Sequence, residues 1–249
     1  MLDKKILLML MTRLAGTEIG LHPSGAAFLP EFNALLVADA HFGKAVSFRK
    51  LGVPVPKGTT TQTLDVLTKI IDETSARRIV FLGDFLHSAH SHAPATLAAI
   101  ARWRAEHVAL SLTLVRGNHD DRAGDPPADL AIDVVDEPLQ LGPFALCHYP
   151  KPREGVYVMA GHWHPCISLR GRAFERLRLP CFWLGDDTGA LPENAVGVLP
   201  AFGSFTGMQR IEPRTGDRIF PVAGQIVGQL QFIPHNFGHE VLLQPPTRS

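Results

Sequence analysis

Three carboxylates, an asparagine and a set of histidines fall in five short clusters along this chain. They are Asp39-Ala40-His41, Gly83-Asp84, Gly117-Asn118-His119-Asp120, His148 and Gly161-His162-Trp163-His164. Oxygen and imidazole donors with no cysteine among them suit intermediate divalent ions such as Mn, Fe or Zn. The set is large enough for two ions. Such a pair, roughly 3.5–4 Å apart, clamps the attacking and leaving oxygens of an in-line displacement and lowers the pKa of bound water toward ~7. A shared carboxylate is needed between them, and Asp84, alone after a glycine, reads as the bridge. Asp39, His41, Asp84 and His164 are assigned to one ion, and Asp84, Asn118, His148 and His162 to the other. Two divalent ions against two carboxylates and one hydroxide leave about one net positive charge, which attracts a phosphate. His119 directly follows a ligand and reads as a general acid, with Asp120 placed to orient its ring or stabilise its protonated form.

These residues span 125 positions, so the elements before them must bring them together. Each cluster follows a strand-like apolar run: ALLVA (34–38), RIVFL (78–82), LSLTLV (110–115), FALC (144–147) and VYVMA (156–160). A continuous apolar run reads as a strand buried on both faces. Ligands of open α/β sheets gather beyond the carboxyl ends of such strands. A helix is predicted over 60–73, where Leu64, Leu67, Ile70 and Ile71 share a face. Another begins near Pro94 and carries Leu97, Ile100 and Trp103. The first half therefore reads β-α-β-α-β, the sign of parallel strands with crossover helices.

From about residue 131 the pattern changes to short strands with Gly and Pro turns, at 131–135, 144–148, 156–160, 173–179, 196–201, 218–223 and 225–233. The expected fold is α/β: two mixed sheets face to face with helices outside, a four-layer α/β/β/α sandwich. Residues 17–233 form one domain with the site between its sheets. Residues 1–16 are a leader or edge strand, and residues 234–249 a loosely held extension.

The chain has 249 residues, 45% hydrophobic and 19% charged, which supports a sizeable core and excludes disorder. Its formal net charge is zero, so no global basic field recruits nucleic acid. Attraction for anions must be local. Three widely spaced cysteines, Cys147, Cys166 and Cys181, argue against a disulfide framework and for a reducing compartment. The apolar run Ile6–Met11 is short for a secretory signal, and no stretch is long enough to span a membrane. A cytoplasmic location is expected, with no membrane partner.

Each cluster alone is a weak signal, since any one histidine is ordinarily a satisfied structural residue. The ordered set carries the argument. Contacts to substrate are expected from His87, three residues after Asp84, from Lys44 and Arg49 in the basic stretch 44–57, and from Trp163 between two ligands. The plain readings are a solvated loop for His87, His90 and His92, a solvated loop for the basic stretch, and a wedge beneath the loop for Trp163. His22, His107, His235 and His239 read as surface residues.

The motifs DAH, GD, GNHD, CHYP and GHWH resemble those of the calcineurin-like metallophosphoesterase superfamily over roughly residues 17–223. The segments ADAHFGKAVSFRKLGVPVPKGT, GDFLHS, GHWHPC, LRLPCFWL and LPAFGSFTG are similar to the bacterial ligase-associated DNA-damage-response phosphoesterases, the PdeM family. This resemblance implies a dinuclear site using Mn and phosphodiesterase or single-strand DNA endonuclease activity. It also implies a functional link to an ATP-dependent DNA ligase, a helicase and an exonuclease. His87 departs from the superfamily, where many members carry an acid, and the tail after Gln225 matches nothing familiar. Two alternatives stand beside the DNA endonuclease: a phosphoesterase of small nucleotides or phosphomonoesters, and a non-catalytic scaffold of the same fold. The oligomeric state is not legible.

Overall fold

The computed structural model describes residues 9–56, 58–170, 176–187, 195–235 and 238–244. The chain opens with an antiparallel meander of β1 (Leu10–Leu14), β2 (Thr17–Leu21), β3 (Ala27–Leu29) and β4 (Ala34–Val37). Two helices, α1 (Lys44–Lys50) and α2 (Thr59–Thr74), cross over to β5 (Arg78–Leu82). Helix α3 (Pro94–Glu106) leads to β6 (Ser111–Val115), and the short α4 (Asn118–Ala123) to β7 (Ile132–Val135). Strands β4 to β7 are parallel, and the seven strands lie in chain order.

The second sheet is built from β8 (Leu139–Leu141), β9 (Phe144–Leu146), β10 (Tyr157–Ala160), β11 (Pro165–Arg170), β12 (Arg176–Leu184) and β13 (Val196–Val198). It continues with β14 (Gln209–Arg210), β15 (Arg218–Ala223), β16 (Ile226–Val227), β17 (Gln229–His235) and β18 (Gly238–Gln244). Its main path runs β18-β17-β15-β12-β13-β10-β9-β8, and pairing is mixed, since β9, β10 and β13 are parallel, as are β11 and β14, while the rest are antiparallel.

The period-two alternation of strands explains the layering. In the first sheet Leu36, Val80 and Leu82 point to one face, and Leu35, Val37, Ile79 and Phe81 to the other. The first face meets Phe144, Leu146, Tyr157, Met159, Phe182 and Phe220 of the second sheet. The second face is covered by Leu64, Leu67 and Ile70 of α2 and by Ile100 and Trp103 of α3. Because both faces are covered, the strands read as unbroken apolar runs. Among the described residues all four α-helices precede residue 124. A smaller apolar cluster on the second sheet gathers Ile167 of β11, Cys181, Ile211 and Ile219.

Several expectations shift. Residues 132–135 were expected in the second sheet, but β7 pairs in parallel with β6 and closes the first. Its four residues lack helical periodicity, which cannot say which sheet a strand joins. The basic stretch was expected as a loop, yet residues 44–50 form α1, and Arg49 donates to the carbonyls of Val55 and Pro56 at 3.4 and 3.1 Å. Lys57 lies outside the described residues. Edge strand β1 falls within the segment 1–16, of which residues 1–8 are not described. The backbone of β18 pairs with β17 from Gln229 to His235, so the sheet continues past residue 233 into the expected extension. Residues 171–175, the start of the strand expected at 173–179, are not described either. The three cysteines are buried and unpaired. His22 is no surface residue: it is 5% exposed and bonds Ser24 and Glu73 at 2.8 and 3.1 Å. Burial holds its pKa below the usual histidine value against the pull of Glu73. The side chains of His235 and His239 lie outside the described ones.

Phe182 fills the space between the two sheets and is fully buried. Phe182→Ala is expected to destabilise the fold by about 3–5 kcal/mol, read as a lower urea midpoint at unchanged slope.

Candidate metal centre

Five peptide segments leave the carboxyl ends of their strands and bond to one another. The amides of Asp39, His41 and Phe42 donate to the carbonyls of Gly83, Asp84 and Phe85 at 3.3, 2.8 and 2.8 Å. The amide of Gly161 donates to His148 O, and those of Phe202 and Gly203 to Ala38 O and Asp39 O. Packing this close leaves no room for side chains. Gly83 has a φ of +81°, and a Cβ there would run into the His148 ring. A Cβ on Gly161 would lie 2.5 Å from Asp39 Oδ2.

The seven residues assigned to metal converge. Asp39, His41 and His164 bring one donor atom each within 4.8 Å of one another, and so do Asp39, Asp84 and His148. His164 Nε2 lies 3.5 Å from Asp39 Oδ1, and His41 Nε2 lies 3.8 Å from Asp84 Oδ2. On the other side of Asp84, His148 Nε2 is 3.5 Å from Asp84 Oδ1, 2.9 Å from Asn118 Oδ1 and 3.0 Å from His162 Nδ1. Asp84 thus stands between the two groups. Five of the seven, Asp39, His41, Asp84, His162 and His164, have φ between +45° and +69°. Each such left-handed, non-glycine residue costs roughly 1–2 kcal/mol. Strain of this kind persists where neighbours over-determine it and clusters at functional sites.

The donor set fits divalent cations. Asp39 Oδ1, His41 Nδ1, His87 Nδ1 and His164 Nε2 are buried with no hydrogen-bond partner. Two of these orphans, Asp39 Oδ1 and His164 Nε2, face each other. Orphaned buried acceptors are costly unless a cation meets them. The far ring nitrogens are occupied: His148 Nδ1 donates to Leu82 O at 3.0 Å and His164 Nδ1 to Gly207 O at 3.0 Å, which turns each Nε2 toward the centre. Burial pushes His41 and His162 below the usual histidine value, keeping their lone pairs free at neutral pH. Burial also raises Asp84, with Asp39 adding repulsion. Burial acts to lower His164 as well, but the Asp39 carboxylate beside it prevails and lifts it above the usual value.

His119 lies at the rim, with 30% of its side chain exposed. Its Nδ1 donates to the His87 carbonyl at 2.6 Å, its Nε2 is 3.9 Å from Asp84 Oδ2, and its amide donates to Asp84 Oδ1 at 2.9 Å. The expected pairing with Asp120 does not form. Asp120 is 1% exposed and accepts from the amides of Leu86 and Gly117 at 3.1 and 3.0 Å. It staples the 83–87 and 117–120 segments together, closing the first turn of α4 as an N3 carboxylate does. Burial raises its pKa to about 6.

His87 stacks on His119 with centroids 4.9 Å apart, and His41, His87 and His119 form a third close group. His87 therefore borders the centre instead of lying in a solvated loop. His90 is exposed, and His92 bonds Ala123 O at 3.0 Å. Lys44 is half-buried, and desolvation lowers its pKa against the pull of Asp39 and Asp84. Arg49 is exposed and turned to its own loop. Trp163 packs on Trp183 with centroids 5.6 Å apart. Sequence reasoning missed Glu137, which accepts from the amides of His148 and Tyr149 at 2.8 and 3.0 Å, and Tyr149, whose ring meets both His148 and His162. It also missed the Gly207 carbonyl. None of these has a local pattern that would distinguish it.

Two stacked mixed sheets with Asp, Asn and His donors gathered at their strand ends define a metallophosphoesterase-like protein. The chain is similar to nuclease MPE of Pseudomonas putida, with 43% identity, a TM-score of 0.74, and coverage of 86% of this chain and 96% of that one. The chain belongs to this metallophosphoesterase family and is a metal-dependent phosphoesterase. Slighter likenesses are to AQ665, a protein of unknown function from Aquifex aeolicus (19% identity, TM-score 0.36, 52% of this chain and 77% of that one), and to the phosphoesterase Yfce of E. coli (12%, 0.34, 78% and 90%). At those TM-scores neither carries an argument. No protein-family model and no curated protein matches the chain.

Gly83→Ala is expected to push His148 out of place, and elemental analysis of the purified variant should find less bound metal per chain than in the wild type. His87, lowered by burial to about 4, stays neutral in the fold where an unfolded chain takes up a proton near 6.5. It therefore adds stability above pH 6.5 that is lost as pH falls toward 4. Metal-free wild type should lose more stability between pH 7 and 5 than metal-free His87→Gln, measured by denaturant midpoints.

Proposed function

We propose that this chain is a dinuclear, metal-dependent phosphodiesterase that cuts single-stranded DNA, with Mn as the working metal, in cytoplasmic DNA repair. The nuclease name of the Pseudomonas putida relative and the resemblance to the ligase-associated family support the nucleic-acid substrate. The same resemblance supports a functional link to a DNA ligase, a helicase and an exonuclease. Among the described residues, no helix is long and apolar enough to cross a membrane. The observation that carries the chemistry is the pair of orphaned donors, Asp39 Oδ1 and His164 Nε2, 3.5 Å apart beside the shared carboxylate Asp84.

Asp39, His41, Asp84 and His164 would hold one ion, and Asp84, Asn118, His148 and His162 the other. When bound, two divalent ions supply Lewis acidity and a nucleophile at neutral pH. The chain's own residues do the rest. Leu82 O, Gly207 O and Asp39 fix the rings and loops, so little reorganisation accompanies the reaction. The His87 carbonyl holds His119 with Nε2 turned toward the centre, and an imidazolium there donates its Nε2 proton to the leaving oxygen. Lys44 adds positive potential near Asp39 and Asp84, where a phosphate would approach.

His119→Ala is expected to retain both ions and lose roughly 10²–10⁴-fold in turnover on single-stranded DNA, where the leaving oxygen needs a proton. The loss should be much smaller on bis(p-nitrophenyl) phosphate. Equal turnover of variant and wild type on DNA would refute the acid role. The wild type assayed on mono- and diesters alongside single- and double-stranded DNA tests the substrate: strong monoester hydrolysis with intact DNA would favour a small-molecule phosphoesterase, and inertness toward all of them with Mn a scaffold.

A further inference from the structure

On the side of the second sheet that carries Trp183 lies a cavity of ≈ 180 Å³ lined by Pro150, Pro152, Trp163, Trp183, Arg214 and Asp217. Two of its lining residues neighbour the centre along the chain. Trp163 stands between His162 and His164, and Pro150 follows His148-Tyr149, whose tyrosine ring packs on His162 at 4.8 Å. The two indoles, tilted by 30°, form a joint aromatic wall. Trp183 is held in place: its Nε1 donates to Asp217 Oδ2 at 2.6 Å, and the same oxygen accepts from the Arg214 amide at 2.7 Å. Both tryptophans are only half-buried, while Phe182 and Leu184 on either side of Trp183 are fully buried. A rigid, half-open aromatic surface beside a phosphate-attracting centre is the arrangement that receives a planar base. Flat apolar rings line the pocket.

We infer that this cavity holds the unstacked nucleobase of a nucleotide flanking the scissile phosphate. The strand would then be gripped by one base while its backbone crosses the metal centre. Stacking is indifferent to sequence because every base has a π-face, so the pocket would select single strands over duplexes without demanding a sequence. This inference rests on the nucleic-acid reading above and adds to it the feature that discriminates strand state.

The test uses the full-length, metal-loaded enzyme and an oligonucleotide cut at a mapped position. Removing the base from one nucleotide beside the cut should lower kcat/KM by roughly 10-fold, the size expected for one lost stacking interaction. Trp183→Leu should lower the ratio of oligonucleotide to bis(p-nitrophenyl) phosphate efficiency by a similar factor, with no further loss on the base-free substrate. Trp183→Phe should recover most of it. If no base removal matters, or if Trp183→Leu discriminates the two oligonucleotides as the wild type does, the pocket assignment is wrong. Should Trp183→Leu fail to fold, the base-removal scan on wild type decides alone. A wild type that cleaves the aryl diester and no oligonucleotide defeats the nucleic-acid reading itself. Normal oligonucleotide cleavage that ignores base removal defeats only the pocket.

Discussion

Asp39 and Asp84 are both essentially removed from solvent, and donor oxygens of the two lie within 4.8 Å of each other. Two carboxylates buried this close repel each other and lose their hydration, and burial with that repulsion drives the Asp84 pKa up. Backbone amides relieve part of the cost: His162 N donates to Asp39 Oδ2 and His119 N to Asp84 Oδ1, both at 2.9 Å. Protein donors leave Asp39 Oδ1 unmet. Positive charge from outside the chain completes the balance. The surrounding architecture can be understood as the scaffold that keeps this repulsive arrangement from relaxing.

That scaffold works by mutual backbone bonding. Residues 39–42 are backbone-bonded to 83–85, residues 202–203 to 38–39, and Gly161 to His148, so the left-handed conformations at Asp39, His41, Asp84, His162 and His164 cannot unwind independently. Asp120 joins two segments, and Glu137 steadies a third through the amides of His148 and Tyr149. The glycines at 83 and 161 follow from the same closeness, since each lies where a ligand from another segment already occupies the space of a Cβ. Behind the segments, the apolar interface between the two sheets fixes their relative position, as Leu36 and Leu82 meet Phe144, Tyr157 and Phe182 in one cluster. Rigidity at the centre is thus inherited from the core.

The polar clusters that converge were legible because each sits at a sharp change from apolar run to polar residue. That boundary has a physical cause: strands covered on both faces must be apolar until they emerge at the site. The helices α2 and α3 were legible from the spacing of Leu64, Leu67 and Ile70, and of Ile100 and Trp103. Helix α1 was not, because the glycine at each end and the prolines that follow resemble a loop, and a seven-residue helix carries little periodicity. The role of Asp120 was misread for a related reason. Adjacency to His119 suggested a pair, but on a helical turn neighbouring side chains diverge, and its carboxylate turns back to Gly117 and across to Leu86. His22, read as a surface residue, is buried because its partner Glu73 lies 51 positions away.

Residue types and their order determined the donor chemistry and the alternation of buried strands, because coordination preference and burial are local properties of side chains. Tertiary structure alone decided which atom of each donor faces the centre, that the His87 carbonyl rather than Asp120 orients His119, and that β7 closes the first sheet. It also brought Pro150, Trp163, Trp183 and Arg214 around one cavity. Those outcomes depend on contacts between segments far apart in the chain, and no local pattern encodes the distance between two residues that meet only after folding.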